Sequence, residues 1–306
     1  MNTNREKQLE AFNRLLDVMD ELRVKCPWDR VQTTDTLRPM TIEETYELSD
    51  AILHNDIPNT EKELGDVMLH IVFYCKIASE KGDYDIADML NKLCDKLIYR
   101  HPHVYGTVKA DTAEQVVQNW EQLKTKEKDG NKTVLAGVPE TLPPLIKAYR
   151  MQEKARAVGF DWEKREDVWA KVKEEVGEYE EELRSMGTVV ADAKAASKAA
   201  VAAAMDPDAK PDEVNAADSA QKAATAKAEA AKTKAQGELG DVLFALVNAS
   251  RLYDLNPDTA LEATCLKFKN RFTYVELAAR AKGLQLKEMT LSQMDALWDE
   301  AKAKGL

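Results

Sequence analysis

The chain has 306 residues and a formal charge of −11, with 32% charged and 44% hydrophobic residues. That length allows one large or two ordinary domains, each able to bury a core. A surface this acidic argues against broad, salt-dependent gripping of a nucleic-acid backbone, but it leaves room for a small phosphorylated ligand that arrives with a divalent cation. Cys26, Cys75, Cys94 and Cys265 form no CxxC pair, and the N-terminus MNTNREKQLE has no apolar core. No stretch approaches the ~18 apolar residues of a membrane span. A soluble cytoplasmic protein without zinc, signal segment or membrane contact is expected.

In chain order, most segments have helical periodicity and few have strand alternation. IEETYE (42–47) precedes the pentapeptide ELGDV (63–67), from which Leu64, Val67, Met68, Ile71, Val72 and Cys75 trace an apolar helical stripe. CDKLIYR (94–100) runs into RHPHV (100–104), where Pro102 should stop a helix; a turn explains this histidine pair better than a zinc site. LAGVPETLPPL (135–145) is rich in breakers and looks like a linker. Beyond it, Trp169, Val172, Val176, Tyr179 and Leu183 step by three and four, and a second ELGDV (238–242) opens the stripe Leu239, Val242, Leu243, Leu246, Val247. CLKFKNR (265–271) follows. The expected fold is all-α, with two tandem, related helical-bundle halves: 1–130, a linker at 131–145, and 146–306.

Residues 188–235 stand apart, being dominated by Ala and Lys with little to bury. Both are good helix formers, and the strong breakers gather in DPDAKP (206–211). The spacing predicts an inserted helical hairpin, at about 187–233, with its tip at 206–211. Such an arm could also dock a protein partner.

Each half offers Glu-x-x-Glu on one helix and Glu-x-x-Asp on the next: Glu44, Glu47, Glu63 and Asp66, then Glu175, Glu178, Glu238 and Asp241. Residues three apart share a helix face, so helices that fold back on each other would bring four carboxylates together. Clustered carboxylates repel one another and need a cation, and an all-oxygen set suits Mg²⁺, Mn²⁺ or Ca²⁺. A di-iron bundle would require Glu-x-x-His in each half, which neither has. Glycine inside a helix costs about 1 kcal/mol relative to alanine, so the Gly in each ELGDV predicts that something approaches the backbone closely there, the neighbouring helix being one candidate.

Lys96 and Arg100 in the first half match Lys267 and Arg271 in the second, each pair one helical turn apart and suited to phosphate. The second half adds Lys171, Lys234 and Asn248, where the first has Met40, Asn59 and Phe73. A polyphosphate needs neutralisation at several oxygens, so the second half is the expected working site and the first a weaker one.

These segments resemble the MazG family of nucleoside triphosphate pyrophosphohydrolases. LRVKCPWDRVQT (22–33), IEETYE, ELGDV and KLIYRHPHV (96–104) stand in family order, followed by VGFDW (158–162), KEEVGE, ELGDV and KFKNRF (267–272). The insert is the departure, since the family has a short loop there. The resemblance implies a dimeric all-α enzyme that hydrolyses NTPs, broadly in base, to NMP and pyrophosphate with Mg²⁺. It places the metal on Glu175, Glu178, Glu238 and Asp241, the phosphates on Lys171, Lys234, Lys267 and Arg271, and the nucleotide against Trp298. Metal-assisted in-line attack of water would need a proton acceptor, for which Glu174 and Glu178 are both candidates. The rival reading is a nucleotide-sensing regulator with little turnover.

Overall fold

The computed structural model describes residues 4–112, 115, 116, 119, 120, 123, 124 and 133–306. Among these are ten α-helices and no strand. The chain divides into two compact units, Met1–Trp120 and Glu121–Leu306. The boundary expected near 130 lies outside the described residues.

Unit 1 contains α1 (Arg5–Lys25), α2 (Thr34–Leu53), α3 (Ile57–Lys81), α4 (Ile86–Arg100) and the single turn α5 (Pro102–Tyr105). Local chemistry sets the boundaries. Thr33 and Thr36 form a reciprocal capping box at the start of α2, and Asp56 caps α3 by accepting from the Asn59 N–H at 3.2 Å. Gly82, at φ 77°, ends α3 in the left-handed conformation that suits glycine. The helix expected to stop at Pro102 ends at Arg100, and Pro102 begins the next turn. The core is Met19, Leu37, Val72, Phe73 and Ile77. Truncating a buried phenylalanine such as Phe73 to alanine costs ~3–5 kcal/mol.

Unit 2 contains α6 (Pro144–Ala157), α7 (Val168–Met205), α8 (Pro211–Leu252), α9 (Pro257–Ala281) and α10 (Leu291–Ala303). Helices α7 and α8 pack along each other and are joined by Asp206–Lys210, so the Ala/Lys-rich stretch is the far part of a long hairpin turning where DPDAKP was expected to turn it. At about 1.5 Å per residue, α7 alone is ~57 Å long. At the root of the hairpin, Val168, Val172, Ala245 and Ala249 form one small core, and Val275, Ala279 and Leu297 join α9 to α10 in another.

Two expectations need correction. A Cβ added at Gly65 or Gly240 would meet nothing within 4 Å, so among the described residues nothing approaches either ELGDV glycine closely. The apolar stripes are also only half used. Val72, Cys75, Val242 and Val247 are buried, but Leu64, Met68 and Ile71, and their counterparts Leu239, Leu243 and Leu246, are exposed. The two halves therefore show the same apolar row to their surroundings.

Candidate active site

Helices α2 and α3 bring one carboxylate oxygen each of Glu44, Glu63 and Asp66 within 4.8 Å of one another; α7 and α8 do the same for Glu175, Glu238 and Asp241. The remaining acids, Glu47 and Glu178, lie one turn along the same helices, exposed and outside these groups.

In unit 1, Glu63 is 1% exposed, and its Oε2 is buried without a hydrogen-bond partner among the described residues. Lys62 reaches its Oε1 at 2.8 Å and Asp66 at 3.7 Å. Burial and the charges of Asp66, Glu47 and Glu63 push the Glu44 carboxyl above its usual range, against a smaller lowering by Lys62. Mutual repulsion and an orphaned buried oxygen are what a cation site presents when lysine is its only counter-charge.

In unit 2 that counter-charge comes from the other helix. Lys171 on α7 lies 2.8 Å from Glu175 and 2.9 Å from Glu174. Its hydrogen bonds to Glu175 and then to Glu174 hold its ammonium well above the usual lysine pKa. Lys234 on α8 pairs with Glu182, which raises it too. The residue before ELGDV, Lys62 in unit 1, is Gly237 here.

A cavity of about 830 Å³ opens beside this second cluster. Lys171, Glu175 and Asp241 stand at one side, and Phe160, Trp162 and Phe244 give it aromatic walls. The loop carrying Phe160 and Trp162 is fastened by Asp161. Arg251, 3% exposed, donates to Asp161 through Nη1 at 3.1 Å and through Nη2, and also to Asn248 Oδ1 at 2.7 Å. Burial raises the Asp161 carboxyl, but the Arg251 hydrogen bonds, the Trp162 N–H and the Arg251 and Arg156 charges outweigh it and hold it below the usual range.

Unit 1 carries different residues at these positions. Lys171, Ala245 and Asn248 correspond to Met40, His70 and Phe73. His70 and Phe73 are buried, with Met40 and Tyr74 packed on the same core. Thr41 Oγ1 bonds to His70 Nδ1 at 2.9 Å and to Tyr74 Oη at 2.6 Å, closing the space with a polar network.

The other expected ligands are placed apart from the carboxylate groups. Arg271 donates to the Leu306 carbonyl at 2.7 Å and lies over the Trp298 ring, which also meets Phe268 at 5.2 Å. Lys267 is exposed on α9. In unit 1, Lys96 is exposed on α4 and Arg100 lies over the Trp120 ring. Asn248 does line the cavity. Sequence reasoning missed Lys62, Gln152 and the Asp161–Arg251 pair. Lys62 was legible, since it abuts ELGDV; the Asp161–Arg251 pair joins residues 90 apart and leaves no local signal.

Residues 32–105 match the family model for the MazG nucleotide pyrophosphohydrolase domain. The chain is 33% identical over 299 residues to the nucleoside triphosphate pyrophosphohydrolase of Escherichia coli (strain K12), covering 96% of this chain and 98% of that protein. It is 34% identical over 294 residues to the nucleoside triphosphate pyrophosphohydrolase/pyrophosphatase MazG of Thermotoga maritima, covering 95% of each. The uncharacterized protein YabN of Bacillus subtilis (strain 168) is 37% identical over 95% of this chain and 51% of its own. The chain belongs to the MazG family of nucleoside triphosphate pyrophosphohydrolases, hydrolases of phosphoric anhydrides.

Proposed function

We propose that unit 2 is the main catalytic site and hydrolyses nucleoside triphosphates between the α and β phosphates, giving NMP and pyrophosphate. The observation that carries this reading is the junction of Glu175, Asp241 and Lys171 with an aromatic-walled cavity of nucleoside size. The carboxylates of Glu175, Glu238 and Asp241 fit Mg²⁺, with Mn²⁺ as a substitute, and Glu178, one turn along α7, is the fourth candidate ligand. When bound, the ion would neutralise phosphate oxygens and polarise the phosphorus under attack.

The chain's own groups do the rest. Lys171 exchanges Glu174 and Glu175 for the triphosphate, joined by Lys234, whose ammonium interacts with the Glu238 carboxylate; Lys267 and Arg271 would contact the phosphates only if brought to them from their place on α9. Release of Lys171 leaves Glu174 as a free carboxylate; it and Glu178 are the candidates to take the proton of the attacking water. Asn248 and Arg251 hold the cavity wall, and Trp298 gives the nucleotide a further aromatic contact. Unit 1 holds a metal more weakly and admits no nucleoside, because His70 and Phe73 fill the equivalent space.

The exposed apolar rows, repeated at equivalent positions, support association of two copies. Four free cysteines and the absence of any described helix long and apolar enough to cross a membrane accord with action in the cytoplasm. Phosphorus NMR of the products tests the reaction. NMP with pyrophosphate is expected; NDP with orthophosphate would mean a different bond is cut, and Mg²⁺-dependent binding without product would favour a sensor.

A further inference from the structure

The loop between α6 and α7 holds its largest apolar side chain in solvent while its backbone is pinned. Gly159, at φ 87°, ends α6: its N–H donates to the Arg156 carbonyl at 2.9 Å, and the Phe160 N–H donates to the Ala155 carbonyl at 3.0 Å. At such a helix end an apolar residue after the left-handed glycine commonly folds back onto the last turn. Phe160 does not; it is 82% exposed and lines the cavity beside the second acid cluster. The next residue is the Asp161 clamped by Arg251. Arg251 stands where unit 1 has Lys76, which pairs instead with Asp20 on α1 at 2.7 Å. Arg251 also lies about 15 Å beyond Asp241 along α8, at 1.5 Å per residue. The anchored loop is therefore at the end of the cavity away from the metal carboxylates.

Resting on the reading of unit 2 as the triphosphate site, we propose that Phe160 is a nucleobase-binding residue: with the phosphates held at Lys171 and the carboxylates, the base reaches the loop and stacks on the Phe160 ring. The end of α6 on one side and the Asp161–Arg251 pair on the other hold that ring in place before the nucleotide arrives, so little loop ordering is left to oppose binding. Every base has a π face. Stacking on Phe160 therefore adds affinity without choosing among bases, in accord with the breadth in base that the resemblance implies. A base–aromatic stack contributes about five- to hundredfold in affinity.

The test is equilibrium binding, by calorimetry with Mg²⁺, of the uncleavable α,β-methylene analogues of ATP and UTP to the full-length protein, to Phe160→Ala and to Phe160→Trp, with inorganic tripolyphosphate as a baseless probe. Phe160→Ala should weaken both analogues about five- to hundredfold and leave tripolyphosphate affinity unchanged; Phe160→Trp should return both to within about threefold of the wild type. Truncating so exposed a side chain should leave the urea midpoint of unit 2 unmoved. Unchanged analogue affinities in Phe160→Ala would overturn the proposal. So would an equal weakening of tripolyphosphate, which would mean a disturbed site rather than a lost base contact, and so would a shift of Phe160→Ala toward monomer on size exclusion, which would place a second copy on the ring. Unchanged affinities accompanied by pyrophosphate release from ATP would sink the base contact while leaving the pyrophosphohydrolase reading intact. The expected binding pattern without turnover would uphold Phe160 and sink that reading.

Discussion

Replacing Asp161 by asparagine removes the counter-charge of a guanidinium that is 3% exposed, while keeping the size of the side chain. Breaking a buried ion pair from one side costs ~3–5 kcal/mol. Two features reduce that figure. Asp161 keeps 18% of its side-chain exposure, and Arg251 keeps its bond to Asn248, while the new amide oxygen can still accept one hydrogen. A loss of about 2 kcal/mol is expected near neutral pH. Because the Asp161 carboxyl is held below its usual range, its contribution is fully present above the unfolded aspartate pKa of about 3.9. It is lost as pH falls through the lower folded value, so wild type and Asp161→Asn should converge in acid. Urea unfolding followed by tryptophan emission reads this, since Trp162, Trp169 and Trp298 report on unit 2 and Trp28 and Trp120 on unit 1. The unit 1 transition should not move. A difference under about 0.5 kcal/mol at neutral pH, or one that persists unchanged into acid, would refute the role assigned to this pair.

Lys171→Met should act in opposite directions on the two ligands: Mn²⁺ binding to the free protein, measured by calorimetry, tightens a few-fold as Glu174 and Glu175 are released, while the KM for ATP rises. Gly65→Ala and Gly240→Ala meet open space within the chain, so each should stabilise its helix by ~1 kcal/mol in thermal unfolding; destabilisation instead, together with loss of dimer on size exclusion, would place a second chain against these faces. Limited proteolysis should cut the insert at 206–210, between α7 and α8, and leave the paired stretches on either side intact; cleavage throughout 188–235 would contradict the hairpin.

Three of the four acids expected in each half come together, because a spacing of three sets a shared helix face and helices joined by a few residues fold back; Glu47 and Glu178, placed by the same spacing, stay outside the groups. The hairpin was legible because its only breakers coincide with its tip. The burial of the stripes was not. Periodicity marks Leu64, Met68, Leu239 and Leu243 as apolar, but it cannot say whether their partner lies in the same chain. The glycines misled for a related reason: the cost of glycine in a helix is intrinsic, whereas what compensates it need not belong to this chain. The cavity depends on Gln152 meeting Phe244 and Asp161 meeting Arg251, contacts 92 and 90 residues apart, which no window of sequence displays. How unit 1 differs here is readable only after the halves are aligned by position, when Ala245 and Asn248 become His70 and Phe73.

The most direct test of the central claim is Mg²⁺-dependent pyrophosphate release from ATP by Glu238→Gln and Glu63→Gln, the same change at the same place in the two ELGDV segments. The account predicts that Glu238→Gln abolishes turnover and that Glu63→Gln leaves most of it. Equal losses from both would contradict a single working unit.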